Sequence, residues 1–301
     1  MRRPPDRVVP VAVAQATSVV MDGPASVEKA CGIIREAGRA GARIVALPEG
    51  FVPLMPRPCW GHRYGETMNP DAAELHRRLW DNAVDVDGPL AARLAAAARD
   101  AGAWVAIGVN ERDRRRPGTL WNTLLWLSPE GRVAGRHRKL VPTMHERAFW
   151  GQGAGDDLDA IEAGVARLGG LICWENFIPQ ARRRLHLAGV DVIVAPTADD
   201  RDVWVAAMRG FAFEAGAFVL SPVQHLRRDH FPADFPLREA LDGCPETLMS
   251  GGSVIVDPWG EVLAGPVRGR EEVLYADLEM DRVMAARRVL DTAGHYDRPG
   301  L

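Results

Sequence analysis

Three residues have the type and context to do covalent chemistry. Cys173 follows the apolar run of "LGGLICWENFIP", Glu49 follows "IVALP", and Lys139 sits in "GRHRKLVPT". A cysteine between a strand end and a helix start is exposed by the tight turn, and neighbouring backbone N–H groups can hold a developing oxyanion. A helix begins near Asn176–Pro179, since proline is tolerated in a first turn, and a helix N-terminus lowers a thiol pKa. Position alone still favours a packed thiol, because cysteine is among the most buried residue types. The nucleophile needs a base. Glu49, at the edge of an apolar strand, would have a raised pKa suited to that work; alone it would read as a turn carboxylate. Lys139 is notable because only it and Lys29 are lysine among 37 basic residues. Where charge suffices, this chain uses arginine, so a compact ammonium at that point asks for a specific role. Glu146 lies seven residues on, close enough to fold back on the same site.

The eight histidines do not offer a base of the Cys–His kind, since none is expected at the end of a clear strand. His62, His145, His186 and His295 fall in loops or on polar faces. "MHERAFW" is not a zinc-type H-E-x-x-H, and the four cysteines, Cys31, Cys59, Cys173 and Cys244, have no C-x-x-C pairing. No metal and no cofactor is expected. Cys31 reads as core, and Cys59 and Cys244 as free thiols near the chemistry but outside it, in a reducing cytoplasm.

The positioning elements come from periodicity. Apolar runs at 8–15, 42–48, 103–111, 123–128, 167–173, 190–196, 217–223 and 252–258 read as strands. Amphipathic segments at Ser26–Ala40, Leu90–Ala101, Pro179–Ala188 and Asp202–Ala215 read as helices, with Gly41, Gly102 and Gly189 as stops. "SPEG" and "DPWG" are turn signals between paired strands, 120–127 with 132–136 and 252–257 with 262–267. The class is therefore α/β with mixed sheets. The connections 48–70 and 223–250 are long, which points to a functional role. With 47% hydrophobic residues, a net charge of −3 and scattered arginines, nothing calls for nucleic acid. No run approaches the ~20 apolar residues of a membrane span. "MRRPPDRVVPVAVAQA" mimics a signal peptide, but Pro10 and Asp6 favour a buried first strand instead. With no repeat or composition break, one domain over 1–301 is expected.

The motifs together resemble the nitrilase branch of the carbon–nitrogen hydrolase superfamily. "LPEGFVPLMPR" is similar to its glutamate segment, "HRKLVPTMHERAFWGQG" to its lysine segment, and "GGLICWENFIPQARRRLHLAGVDVIVAPT" to its cysteine segment. The stretches "RDVWVAAMRGFAFEAGAFVLSPVQ", "GGSVIVDPWGEVLAGP" and "AGHYDRP" also fit. The Cys-Trp-Glu triplet and W-G-Q-G point to nitrilases rather than to amidases and carbamoylases. The resemblance implies a four-layer αββα sandwich, two mixed sheets packed face to face with helices outside. It also implies a Glu49–Lys139–Cys173 triad with Glu146 in support, and at least a homodimer. Three departures stand out. Leu54–Met55 replaces a usual Gly–Tyr pair, "WGQGAGDDL" differs from the usual continuation, and the chain ends at Leu301 without the longer tail linked to filaments.

On this resemblance the expected reaction converts a small nitrile to its acid and ammonia through a thioimidate and a thioester on Cys173. Lys139 and the Trp174 N–H would steady the charge, and Trp174, Met55, Trp150 and Thr197 would form the pocket wall. Other readings stay open at this point. They are an amidase or carbamoylase using the same triad, hydration of a nitrile to an amide, a binding protein that keeps the fold without turnover, and a Cys–His thiol hydrolase.

Overall fold

The computed structural model describes residues 7–298. Arg2, Arg3 and Asp6 of the signal-like stretch, and residues 299–301 with the chain's end, lie outside the described residues. In chain order the first half holds β1 (Val8–Gln15), α1 (Gly23–Arg39), β2 (Ile44–Ala46), α2 (Pro58–Gly61), α3 (Pro70–Asn82), α4 (Pro89–Ala101), β3 (Trp104–Arg112), β4 (Leu120–Ser128) and β5 (Arg132–Arg138). The second holds β6 (Ile161–Glu162), β7 (Arg167–Gly170), α5 (Pro179–Leu187), β8 (Val192–Val194), α6 (Asp202–Ala215), β9 (Phe218–Ser221), β10 (His225–Arg227), α7 (Arg238–Asp242), β11 (Thr247–Val256), β12 (Val262–Arg268), β13 (Glu272–Glu279) and α8 (Asp281–Val289).

One sheet runs β13-β1-β2-β3-β4-β5 and the other β10-β11-β9-β8-β7-β6, with β12 beside β11. Both are mixed: β1, β2 and β3 are parallel, as are β7, β8 and β9, and antiparallel strands extend each side. The period of two along β1 sets the layers. Val9, Val11 and Val13 point into the core between the sheets, which they share with Leu168, Val192, Val194 and Phe218. Ala12 and Ala14 face the other way, onto Ala30 and Ile34 of α1 and Leu94 and Ala98 of α4. On the far side, Ile193, Val219 and Val254 pack beneath Leu185 of α5 and Trp204 and Met208 of α6. The result is the expected four-layer αββα sandwich. The expected hairpin turns close with Gly131 N donating to Ser128 O (2.9 Å) and Gly260 N to Asp257 O (2.9 Å).

Helix α1 starts three residues before the expected point. Asp22 accepts the Ala25 N–H at its N-terminus and Pro24 occupies its first turn. Gly102 and Gly189 stop α4 and α5 in the left-handed region, with φ of 62° and 66°. Two expectations need correction, and some elements were unread. The run 167–173 pairs only as far as Gly170, and Cys173 opens a separate 3₁₀ turn over Cys173–Phe177. The connections at 48–70 and 223–250 are not structureless, since they carry α2, β10, α7 and two short 3₁₀ turns. Strand β13 and helix α8 had no reading from the sequence. β13 turns Leu274 and Leu278 inward and leaves Tyr275, Asp277 and Glu279 exposed, so acidic residues break up its apolar run.

The two long connections meet over an aromatic cluster. Trp60 of α2 has its ring edge-on to Phe149, Phe231 and Phe235, with centroids 6.0, 5.9 and 5.2 Å away. Trp60→Ala is expected to lower the unfolding free energy by about 3–5 kcal/mol, and Trp60→Phe by clearly less, as read from urea denaturation. Equal losses for the two would show that the cluster does not depend on ring packing.

Candidate active site

Strand ends deliver the three candidate side chains. β2 ends at Ala46, and Leu47 N still donates to Ala106 O (2.8 Å). The chain then crosses directly over Gly108 of β3. A Cβ at Gly108 would lie 2.4 Å from Pro48 O and 2.6 Å from Glu49 Cα, so only glycine lets the Glu49 backbone sit that low. Lys139 follows β5, with its N–H on Asn122 O (2.8 Å) and its carbonyl receiving the Gly153 N–H (2.8 Å). The glycines of W-G-Q-G allow that approach: a Cβ at Gly153 would stand 2.1 Å from Arg138 O.

The Lys139 ammonium is 1% exposed. It donates 2.7 Å to Glu49 Oε1 and 2.7 Å to Glu146 Oε2. Glu146 Oε2 also accepts the Thr143 N–H (2.7 Å), and Glu49 Oε1 accepts from Asn122 Nδ2 (2.8 Å). Glu49 Oε2 is buried and has no hydrogen-bond partner among the described residues. The backbone carbonyl of Glu49 receives Gln224 Nε2 (2.9 Å), which ties this strand end to the second sheet.

Cys173 comes from that second sheet, at the C-terminal end of β7. Its φ of 54° is in the left-handed region, which costs a non-glycine residue about 1–3 kcal/mol. The turn is held by its own N–H on Pro196 O (2.8 Å) and by Asn176 Nδ2, which donates to both Leu171 O and Cys173 O (2.8 Å each). The thiol is 4% exposed and receives a hydrogen bond from Thr197 Oγ1 at 3.1 Å.

These contacts set the protonation states. Burial works against the Lys139 ammonium, but the charges of Glu49 and Glu146 outweigh it and hold its pKa well above the ordinary lysine value. Burial raises the Glu49 pKa, with the Glu146 charge adding to it and Lys139 opposing. The Cys173 thiol is pushed up by burial first and then by the Glu49 charge, against the pull of Lys139. The site thus sets the thiol beside a buried ammonium held between two carboxyl groups.

Comparison with known proteins bears on this arrangement. The carbon-nitrogen hydrolase family profile matches residues 10–288. A nitrilase of Bradyrhizobium diazoefficiens is 42% identical over 294 residues, covering 96% of this chain and 89% of that protein. An aliphatic nitrilase of Sinorhizobium fredii is 41% identical over 290 residues, covering 96% and 92%. This chain belongs to the carbon–nitrogen hydrolase family, in its nitrilase branch. The crystal structure of a carbon-nitrogen hydrolase from Helicobacter pylori G27 superposes with a TM-score of 0.75 at 21% identity, over 97% of this chain and 96% of that one, which is agreement in fold.

In this hydrolase a cavity of about 420 Å³ opens onto Cys173 and Glu146. Met55 and Trp174 line it, together with Pro56, Pro58, Met144 and Ala198. Two expected wall residues are placed elsewhere. Trp150 is buried away from the cavity, and its Nε1 donates to Asn110 Oδ1 (2.7 Å); Asn110 Nδ2 in turn holds Val52 O and Leu54 O. Its bulk therefore steadies the 52–55 segment. Thr197 touches the Cys173 sulfur rather than the wall, because β8 ends just before it, level with the end of β7. Cys31 is core, as expected, and Cys59 is exposed. Cys244 is buried, its thiol pushed up to about 12 by burial and by direct interaction with the Cys59 thiol. The expectation about histidines fails for His137, which is buried near the end of β5. Asn122, Asn176 and Glu175 also went unread. Asn122 signals only as a polar residue inside an otherwise apolar strand, Asn176 only as the start of a helix, and Glu175 only as the third residue of the Cys-Trp-Glu triplet.

Gly108→Ala is expected to lower turnover about 10²-fold, the scale of an ångström-sized misplacement, by lifting Glu49 off its seat. Steady-state kinetics at matched folding, judged by circular dichroism, would check this. Unchanged turnover would mean the Glu49 backbone has room to spare.

Proposed function

We propose that this hydrolase converts an organic nitrile to the carboxylic acid and ammonia through a covalent intermediate on Cys173. As the sulfur attacks the nitrile carbon, its proton passes to Glu49 and on to the substrate nitrogen, leaving a thioimidate. Glu49 then takes a proton from water as its oxygen adds to that carbon. Lys139 and the Trp174 N–H steady the charged tetrahedral centre; the Cys173 N–H is already committed to Pro196 O. The nitrogen departs as ammonia, and a second water hydrolyses the thioester to release the acid and restore the thiol. Glu146 orients Lys139 and the incoming group. Met55 and Trp174 bound the substrate, while Thr197 holds the thiol.

The observation that carries this reading is the asymmetry of Glu49. One oxygen is loaded by Lys139 and Asn122, and the other is buried and bare. A carboxylate so held is aimed, desolvated and able to receive a proton. The relatives described as nitrilases support the choice of substrate. The protein is one cytoplasmic domain working as a homodimer or larger homo-oligomer, a reading supported by exposed Phe177, Leu187, Val203 and Phe213 around α5 and α6. No helix among the described residues is long and apolar enough to cross a membrane.

Ammonia release across matched nitriles and amides tests the reaction, and intact mass tests the adduct on Cys173. Cys173→Ala, Glu49→Gln and Lys139→Ala are each expected to cut turnover by about 10³-fold or more. Ammonia from a good nitrile at the wild-type rate in Cys173→Ala would defeat the mechanism, and preference for the amides would reassign the substrate. The acid limb of kcat has a stated direction. Because the Glu49 pKa is raised, the base is lost as pH falls through a value above the ordinary ~4.3 of a glutamate. A limb at or below that value in the pH–rate profile would remove Glu49 from the role.

A further inference from the structure

Glu175, third residue of the Cys-Trp-Glu triplet, is completely buried and does not line the cavity. Its Oε2 accepts the Ile172 N–H at 2.6 Å, and its Oε1 accepts the Leu140 N–H. Ile172 immediately precedes Cys173, and Leu140 immediately follows Lys139. One carboxylate thus grips the backbone on both sides of the inter-sheet gap, next to each reactive residue. His137 stands behind it, with Nε2 3.0 and 3.1 Å from the two oxygens. The other ring nitrogen, Nδ1, is 2.8 Å from Asp157 Oδ1, and Asp157 Oδ2 accepts the Arg138 N–H at 2.9 Å. Burial opposes charge on His137, but Glu175 and Asp157 outweigh it and push its pKa up to about 9. The ring is therefore an imidazolium at neutral pH, donating from both nitrogens.

We propose that Glu175, braced by His137 and Asp157, is a positioning residue that sets the separation and orientation of the Lys139 ammonium and the Cys173 thiol across the two sheets. The proposal rests on Cys173 and Lys139 acting as proposed above. A carboxylate suits this task because two peptide N–H groups and an imidazolium all need acceptors, and two oxygens offer about four lone-pair sites. An amide in its place would turn an N–H₂ toward a peptide N–H. The chain separation from Glu175 is 3 residues to Ile172 and 35 to Leu140. The first contact is local to the turn; the second is long-range and registers one sheet against the other.

Three variants test it: Glu175→Gln, His137→Gln and His137→Asn. In His137→Gln the amide reaches as far as Nε2 and keeps the Glu175 contact. In His137→Asn it reaches only as far as Nδ1 and keeps the Asp157 contact instead. Measurements are kcat and KM for ammonia release, the rate of Cys173 alkylation by iodoacetamide without substrate, and the melting temperature. Glu175→Gln is expected to lose about 10²-fold in kcat with KM changed less than about 3-fold. His137→Gln should retain at least about tenfold more kcat than His137→Asn at a similar melting temperature. A merely structural strut predicts losses that follow melting temperature. Equal kcat in the two His137 variants, or near-wild-type kcat in a folded Glu175→Gln, would overturn the proposal. If Glu175→Gln does not fold, the His137 pair decides. If the wild type releases ammonia from neither nitriles nor amides, the reaction proposed above fails. Alkylation rates in the His137 pair, differing or equal, then still decide positioning.

Discussion

An ammonium with no access to water governs this structure. Lys139 sits where a bare charge would cost several kcal/mol of desolvation, so it is stable only with anions in contact. Glu49 and Glu146 supply two, each at 2.7 Å. Two carboxylates on one ammonium leave net negative charge, and the donors Asn122 Nδ2 and Thr143 N–H absorb part of it. Glu49 Oε2 is left buried with no donor among the described residues. The basicity proposed for Glu49 is therefore a by-product of solving the buried lysine's electrostatics. A planar guanidinium with five N–H donors would overfill the same space, which gives a physical reason for lysine here in a chain that otherwise uses arginine.

The triad straddles the sandwich. Glu49 and Lys139 hang from the ends of β2 and β5 in one sheet, while Cys173 and Thr197 hang from the ends of β7 and β8 in the other. Side-chain distances then depend on how two sheets pack across an apolar core, and close packing makes that spacing stiff. Polar rivets cross the same gap. Gln224 reaches the Glu49 carbonyl, Gln15 of β1 accepts from Gly252 and Ser253 of β11, and Glu175 spans from Leu140 to Ile172. Left-handed Cys173 is tolerated because Pro196 O, Asn176 and Thr197 over-determine its turn.

The mouth of the cavity is built differently. Met55–Pro58 and His62 of the first long connection line it with 143–146 and 198–201, and the second connection lies behind, where α7 rests on α2 and on the Trp60 cluster. Arg57 ties its rim to the far side by donating to Ala198 O (2.7 Å). The cavity wall thus comes from segments with little regular pairing, and Glu49, Lys139 and Cys173 from strand ends anchored in the core.

Much of this was legible in the chain itself. Periodicity and turn signals indicated mixed α/β, and the odd lysine, the strand-end glutamate and the contexts around Cys173 singled out three residues that the fold brings together. Apart from the chain-wide scarcity of lysine, those signals are local: each depends on residues within a few positions of one another. Tertiary structure alone decided the rest. Trp150 and Thr197 are the right kind of residue for a pocket wall, yet the fold turns one onto Asn110 and the other onto the sulfur. His137 reads as one more polar residue in an arginine-rich strand. It becomes a buried imidazolium only because Asp157, 20 residues on, and Glu175, 38 residues on, close around it. The reason is that burial and pairing are properties of surfaces brought together from distant segments, so partners that no local pattern encodes settle the charge and aim of a side chain.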